Sequence, residues 1–295
     1  MTKTPQAAPA TTLQAMPRAT SPADPREPQQ APRIIDAFTA PDGTRKKAFI
    51  PFVTCGDPTL EVTERLLLAM QEAGADLIEL GIPFSDPTAE GPVIQQANLR
   101  ALAGGVTTDD VFAMVERVRA AGLAVPLVFM TYANVVYGYG IERFAVRERE
   151  AGMQGIILPD VPFEEKAEFA EAFAAEGLDV VSLIAPTSHE RIRTIACEAT
   201  GFVYVVSSLG VTGVRSEITT DIGAMVELIR EANPDVPAAV GFGISTPAQA
   251  AKMAAVADGA IVGSAIEKLL AAHGADAIPY VADYVREMAA ATHAA

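Results

Sequence analysis

The chain has no tryptophan, only two cysteines and only three histidines among its 295 residues. Cys55 and Cys197 are far apart and show no CxxC or Cys/His spacing, which excludes a disulfide framework and a zinc site and fits a reducing cytoplasm. His189, His273 and His293 fall in helix-like stretches or the C-terminal tail, so no catalytic metal held by clustered imidazoles is expected. Basic residues are also scarce, 22 against 37 acidic ones, for a formal net charge of −15. That balance argues against a nucleic-acid partner and means that an anionic ligand needs local help. No apolar run approaches the roughly 18–20 residues of a membrane span, so the chain reads as soluble, with no membrane partner.

Residues 1–32 lack what a core requires. They are rich in Pro, Ala, Thr and Gln and contain no aromatic or β-branched aliphatic residue, so burial cannot offset the entropy of ordering them. They are expected to form a disordered Pro/Ala-rich tail, and they show no apolar core of a secretory signal. Residues 33–295 are expected to form a single catalytic domain, opening on a helical patch with Ile34, Ile35 and Phe38.

What that domain does contain is a repeated alternation of apolar runs and helical patterns. The runs at 48–54, 76–80, 126–131, 155–158, 179–184, 202–207, 237–242 and 259–262 read as strands, each followed by at least one helix. Asp57-Pro58 reads as the start of the first helix, with Asp57 as its cap. The second connection is long and holds two helices separated by Gly104-Gly105. Eight such units predict a (β/α)8 TIM barrel with extra helices, and short, nearly all-apolar strands suit a parallel sheet buried on both faces. An open doubly wound sheet would need a Gly-rich phosphate turn after the first strand, where TCGDP stands instead.

In a barrel the strand exits carry the chemistry. Glu79 interrupts the second strand, where an unpaired charge is costly and the pKa of a carboxyl tends to rise. Two readings stand: an acid/base group, or a buried structural carboxyl. Asp86 and Glu90 follow in the loop, the first suited to shaping a turn and the second open between catalysis and a solvated surface carboxylate. The other exits place Tyr132, Asp160, Tyr204, Gly241–Ser245 and Gly263-Ser264 on the same rim. Glycine-rich clusters follow strands six, seven and eight: GVTG at 210–213, GFGIS at 241–245 and GSAI at 263–266. The last two, with a short helix beginning near Ala265, suit a phosphate held by backbone N–H groups and a helix dipole. The plainer alternative is that the glycines make turns and that Ser264 with Glu267 forms a capping box.

These motifs occur in one order along the chain: AFIPFVTCGDP at 48–58, ELGIPFSDPTAEGPVIQ at 79–95, MTYANVVYGYG at 130–140, ILPDVPFEE at 157–165, IAPTS at 184–188, then the three glycine clusters. The set closely resembles the tryptophan synthase α chain family. The resemblance implies a TIM barrel that cleaves indole-3-glycerol phosphate to indole and glyceraldehyde 3-phosphate without a cofactor of its own. It also implies a partner, a pyridoxal phosphate-containing β chain that receives the indole within an α2β2 tetramer. By position it implies Glu79 as principal acid/base and Glu90 as second carboxylate. It assigns Tyr204 to substrate contact, Thr212 to a loop over the site, and Gly213, Gly243, Ser245 and Ser264 to the phosphate region. Asp86 falls where the family meets its β chain. Phe49 and Phe52 are candidates for an indole pocket, with core packing the alternative for at least one of them. The family commonly has Asp in ADGP where this chain has Glu90 in AEGP, one methylene longer. A free-standing indole-releasing lyase and an inactive subunit that only activates a β chain are the competing readings.

Overall fold

The computed structural model describes residues 32–207, 221–241 and 243–295. Residues 1–31, on which all but the last residue of the expected tail falls, lie outside the described residues. Pro32–Ala295 is one compact unit.

The strands are β1 (Ala48–Thr54), β2 (Ile78–Gly81), β3 (Leu127–Met130), β4 (Gly155–Ile157), β5 (Asp179–Ile184), β6 (Val203–Val206), β7 (Ala238–Gly241) and β8 (Gly259–Val262). They pair in parallel in sequence order and close into a barrel, with β8 returning to β1 through the pairs Ala48↔Gly259 to Pro51↔Val262. The helices are α1 (Leu60–Glu72), α2 (Pro92–Ala103), α3 (Thr108–Ala120), α4 (Ala133–Tyr139), α5 (Ile141–Ala151), α6 (Ala167–Ala175), α7 (His189–Cys197), α8 (Ile222–Ala232), α9 (Pro247–Val256), α10 (Ser264–His273) and α11 (Ile278–His293).

Alternation along the strands sorts side chains into two cores. Phe49, Val53, Ile78, Leu80 and Phe129 face outward into the layer shared with the helices. Ala48, Ile50, Phe52, Leu77, Val128 and Met130 fill the barrel interior. A 3-10 helix, Ile34–Phe38, contributes Ile34, Ala37 and Phe38 to that interior core, with the Phe38 and Phe202 rings 5.9 Å apart. Glu79 lies between the outward Ile78 and Leu80, so the pleat turns its carboxyl inward.

The expected strands are all present, most of them trimmed by one or two residues at the ends. Two local expectations fail. Helix α1 starts later than Asp57-Pro58, with Thr59 as its cap accepting the Val62 N–H. Asp57 is instead taken by the Arg100 guanidinium in a two-pronged, charge-assisted pair, Oδ1–Nε 2.8 Å and Oδ2–Nη2 2.6 Å, which outweighs a neutral cap. Helix α4 was not anticipated, because three of its seven residues, Tyr137, Gly138 and Tyr139, interrupt any apolar period.

Candidate active site

The C-terminal ends of the strands surround a pocket of about 490 Å³, counting its solvent-open mouth. Its wall is built from Phe52 on β1, Glu79 on β2, Met130 on β3, Tyr204 on β6 and Ile261 on β8. Glu90, at the end of the β2–α2 connection, and Ile94, on α2, close one side. Gly243 and Ile244 after β7, and Gly263 and Ser264 after β8, close the other.

Glu79 is 1% exposed and pairs across the sheet with Phe52 on one side and Val128 on the other. Its Oε1 is buried with no hydrogen-bond partner among the described residues. Loss of hydration therefore dominates, and burial pushes its pKa up to about 8. The group is mostly protonated at neutral pH, which equips it to give a proton.

Glu90 has a different setting. Burial again raises its pKa, to about 7, but Asn98 and the Tyr132 hydroxyl both hydrogen-bond the carboxyl and favour its ionised form. Asn98 Nδ2 donates to Oε2 at 2.6 Å, and Gln95 Nε2 donates to the Glu90 carbonyl at 2.8 Å. Tyr132 is itself held, its hydroxyl accepting the Ala89 N–H at 3.1 Å and its ring lying 5.2 Å from that of Phe84.

Two glycines at strand ends make room for the aromatic wall. A Cβ on Gly81 would come within 2.7 Å of Phe52 Cζ, and one on Gly241 would overlap the Tyr204 ring. Burial and the neighbouring Glu79 charge keep the Tyr204 phenol well above its usual range, so it remains a hydroxyl. On the glycine side, Gly243 adopts φ +85°, a left-handed conformation that favours glycine. Gly263 is the N-cap of α10; its carbonyl accepts the Ile266 and Glu267 N–H groups, so those of Ser264 and Ala265 are the first-turn donors without an intrahelical acceptor.

The candidates therefore separate. Phe52, Glu79, Glu90, Tyr204, Gly243 and Ser264 converge on one pocket. Phe49 does not; it belongs to the outer core. Ser245 stands off the pocket wall, its N–H and hydroxyl both directed at Gln249 Oε1. Asp86 is exposed on the β2–α2 connection and accepts from Ser85 Oγ. Asp160 accepts the Ala133 N–H at the start of α4, away from the pocket. Thr212 and Gly213 lie outside the described residues. The capping box is not formed: α10 has no side-chain cap, and the Glu267 carboxyl reaches Thr54 instead. Asn98 and Ile94 were missed in the sequence although they sit four residues apart on one face of a helix that begins just after Glu90. Tyr132 was placed on the rim without its role, because only the folded loop brings Glu90 to it.

A family model described as "Tryptophan synthase alpha chain" matches residues 38–293. The chain is 50% identical over 218 residues to the tryptophan synthase alpha chain of Shouchella clausii, covering 74% of this chain and 81% of that one. It is 49% identical over 243 residues to that of Lactiplantibacillus plantarum, covering 82% and 91%. Its fold is similar to the structure of Mycobacterium tuberculosis tryptophan synthase in space group F222, with a TM-score of 0.79 and 35% identity over 90% of this chain and 99% of that chain.

Proposed function

The chain belongs to the tryptophan synthase alpha chain family, and from that premise we propose how its pocket carries out the reaction. The enzyme is a lyase of tryptophan biosynthesis that cleaves indole-3-glycerol phosphate to indole, which passes to a beta subunit. The other product is glyceraldehyde 3-phosphate. The proposal extends to an α2β2 tetramer in the cytoplasm, with pyridoxal phosphate confined to the beta chain and Asp86 on the surface that meets it.

The bond to be broken joins indole C3 to the glycerol chain, and it cannot release its electrons into an intact aromatic ring. In the proposed sequence Glu79, protonated by virtue of its burial, delivers a proton to C3 and leaves the ring as an indolenine with positive charge at nitrogen. Its carboxylate then takes the proton of the glycerol hydroxyl, the carbon–oxygen double bond forms, and the carbon–carbon pair flows back to restore indole. Glu90, ionised and oriented by Asn98 and Tyr132, lies against the developing charge. Phe52, Ile94, Met130 and Ile261 form the apolar slot for the ring, and Tyr204 positions the chain beside Glu79. The phosphate meets Gly243, Gly263 and Ser264 at the start of α10, where first-turn N–H groups and the helix dipole supply the positive potential that this acidic chain otherwise lacks. By the family resemblance Thr212, Gly213 and Ser245 are assigned to substrate contact as well, Ser245 on the condition that it turns from Gln249.

The observation that carries this reading is two unlike carboxyls facing one pocket, one of them with a buried oxygen that no group among the described residues satisfies. Indole release in the presence of the beta chain tests it. Glu79→Gln is expected to lose about 100-fold or more in turnover, the scale of one acid/base group, and normal turnover would sink the mechanism. Glu90→Gln is expected to lose less, and unchanged turnover would remove only that residue from it.

A further inference from the structure

Glu267 is fully buried on α10, within one turn of Ser264 at the pocket. Its Oε1 accepts the Thr54 N–H at the end of β1 at 2.6 Å. Its Oε2 is buried with no hydrogen-bond partner among the described residues, and the Asp57 carboxyl beside it adds to burial in raising the Glu267 pKa well above the usual carboxylate range. Two carboxylates side by side in a buried site repel strongly, and one proton between them relieves the repulsion. Both oxygens of Asp57 are engaged by the Arg100 guanidinium. The proton therefore resides on Glu267. The charged or titratable groups facing it are Asp57, Arg100 and the Cys55 thiol.

The cluster joins three elements. Glu267 belongs to α10, Asp57 to the connection after β1, and Arg100 to α2, the helix whose Asn98 holds Glu90. We propose that Glu267 is a positioning residue which, as a neutral acid donating to Asp57 and accepting from Thr54, fixes the first turn of α10 so that its N–H groups meet the substrate phosphate. This rests on the phosphate assignment made above.

The test uses the complex with the beta chain. Glu267→Leu, which keeps the bulk and removes both hydrogen bonds, is expected to raise the KM for indole-3-glycerol phosphate about tenfold, the scale of one or two lost net hydrogen bonds, with kcat within about threefold. Competition by inorganic phosphate should weaken in parallel. Glu267→Gln, which can still donate to Asp57 and accept from Thr54, should stay within about threefold of the wild type in both constants. An unchanged KM in folded Glu267→Leu, or a Glu267→Gln as impaired as Glu267→Leu, would overturn the proposal. If Glu267→Leu does not fold, the infrared difference spectrum of wild type minus Glu267→Gln at neutral pH decides: a protonated carboxyl band supports the proposal and its absence refutes it. Failure of the wild-type complex to release indole would instead refute the functional reading, while the infrared result would still report on Glu267 alone.

Discussion

Glu79 and Glu90 are the same chemical group in two settings, and the difference between them lies in what hydrogen-bonds each carboxyl. Burial raises both, but only Glu90 has Asn98 and Tyr132 to stabilise its charge. The proposed mechanism needs Glu79 protonated and Glu90 ionised. Activity should therefore rise as pH passes about 7, the value for Glu90, and fall as it passes about 8, the value for Glu79. The kcat/KM profile of the complex is expected to be a narrow bell, and Glu90→Gln is expected to flatten its acid limb while leaving the alkaline one. The two apparent values belong to the pair, since the groups share one pocket. At this scale Glu79 was legible, because a charge inside an apolar strand has few explanations. Glu267 was not, because S-x-x-E at a helix start has an ordinary local meaning, and only the neighbouring β1 backbone shows that the carboxyl goes elsewhere.

Among the elements, the strands are defined by residues that the pleat sends to opposite sides. Period-two alternation separates Phe49 from Phe52, one to the helix layer and one to the pocket. The strand ends need small residues where aromatic rings lie across them. Gly81→Ala is therefore expected to push the Phe52 ring into the indole slot, with an overpacking cost of about 1–3 kcal/mol. Thermal melting and steady-state kinetics should show a lower Tm and a higher KM for indole-3-glycerol phosphate, and an unaltered KM would mean that Phe52 does not bound the slot. Helix starts were the least legible local feature. Asp57-Pro58 has the composition of a cap, but Arg100, remote in sequence, competes for the carboxylate and wins because a guanidinium makes two charge-assisted bonds.

The whole barrel holds a further acid that no local pattern explains. Glu148 on α5 is fully buried beside Phe144, Ala145 and Ala151, and neither carboxyl oxygen has a hydrogen-bond partner among the described residues. Burial holds its pKa well above the usual carboxylate range. The unfolded chain ionises this group at a lower pH than the folded one does, so its contribution to stability is fully present below the unfolded value and is lost as pH rises towards the folded value. Glu148→Leu should remove this loss, up to about 1.4 kcal/mol per pH unit of decline. Urea unfolding midpoints at pH 5 and pH 8 check it: the advantage of Glu148→Leu over wild type should grow with pH, and an equal gap at both would refute it. Taken by itself, the sequence determined the eight-fold alternation, the strand exit at which Glu79 lies and the order of motifs that relates this chain to its family, because each follows from short-range periodicity or from residue order. Tertiary structure alone decided that Glu90 meets Asn98 and Tyr132, that Ser245 turns to Gln249, and that Glu267 accepts the Thr54 N–H. Those outcomes depend on which distant groups closure of the barrel brings within about 3 Å of one another, a competition that no local pattern records.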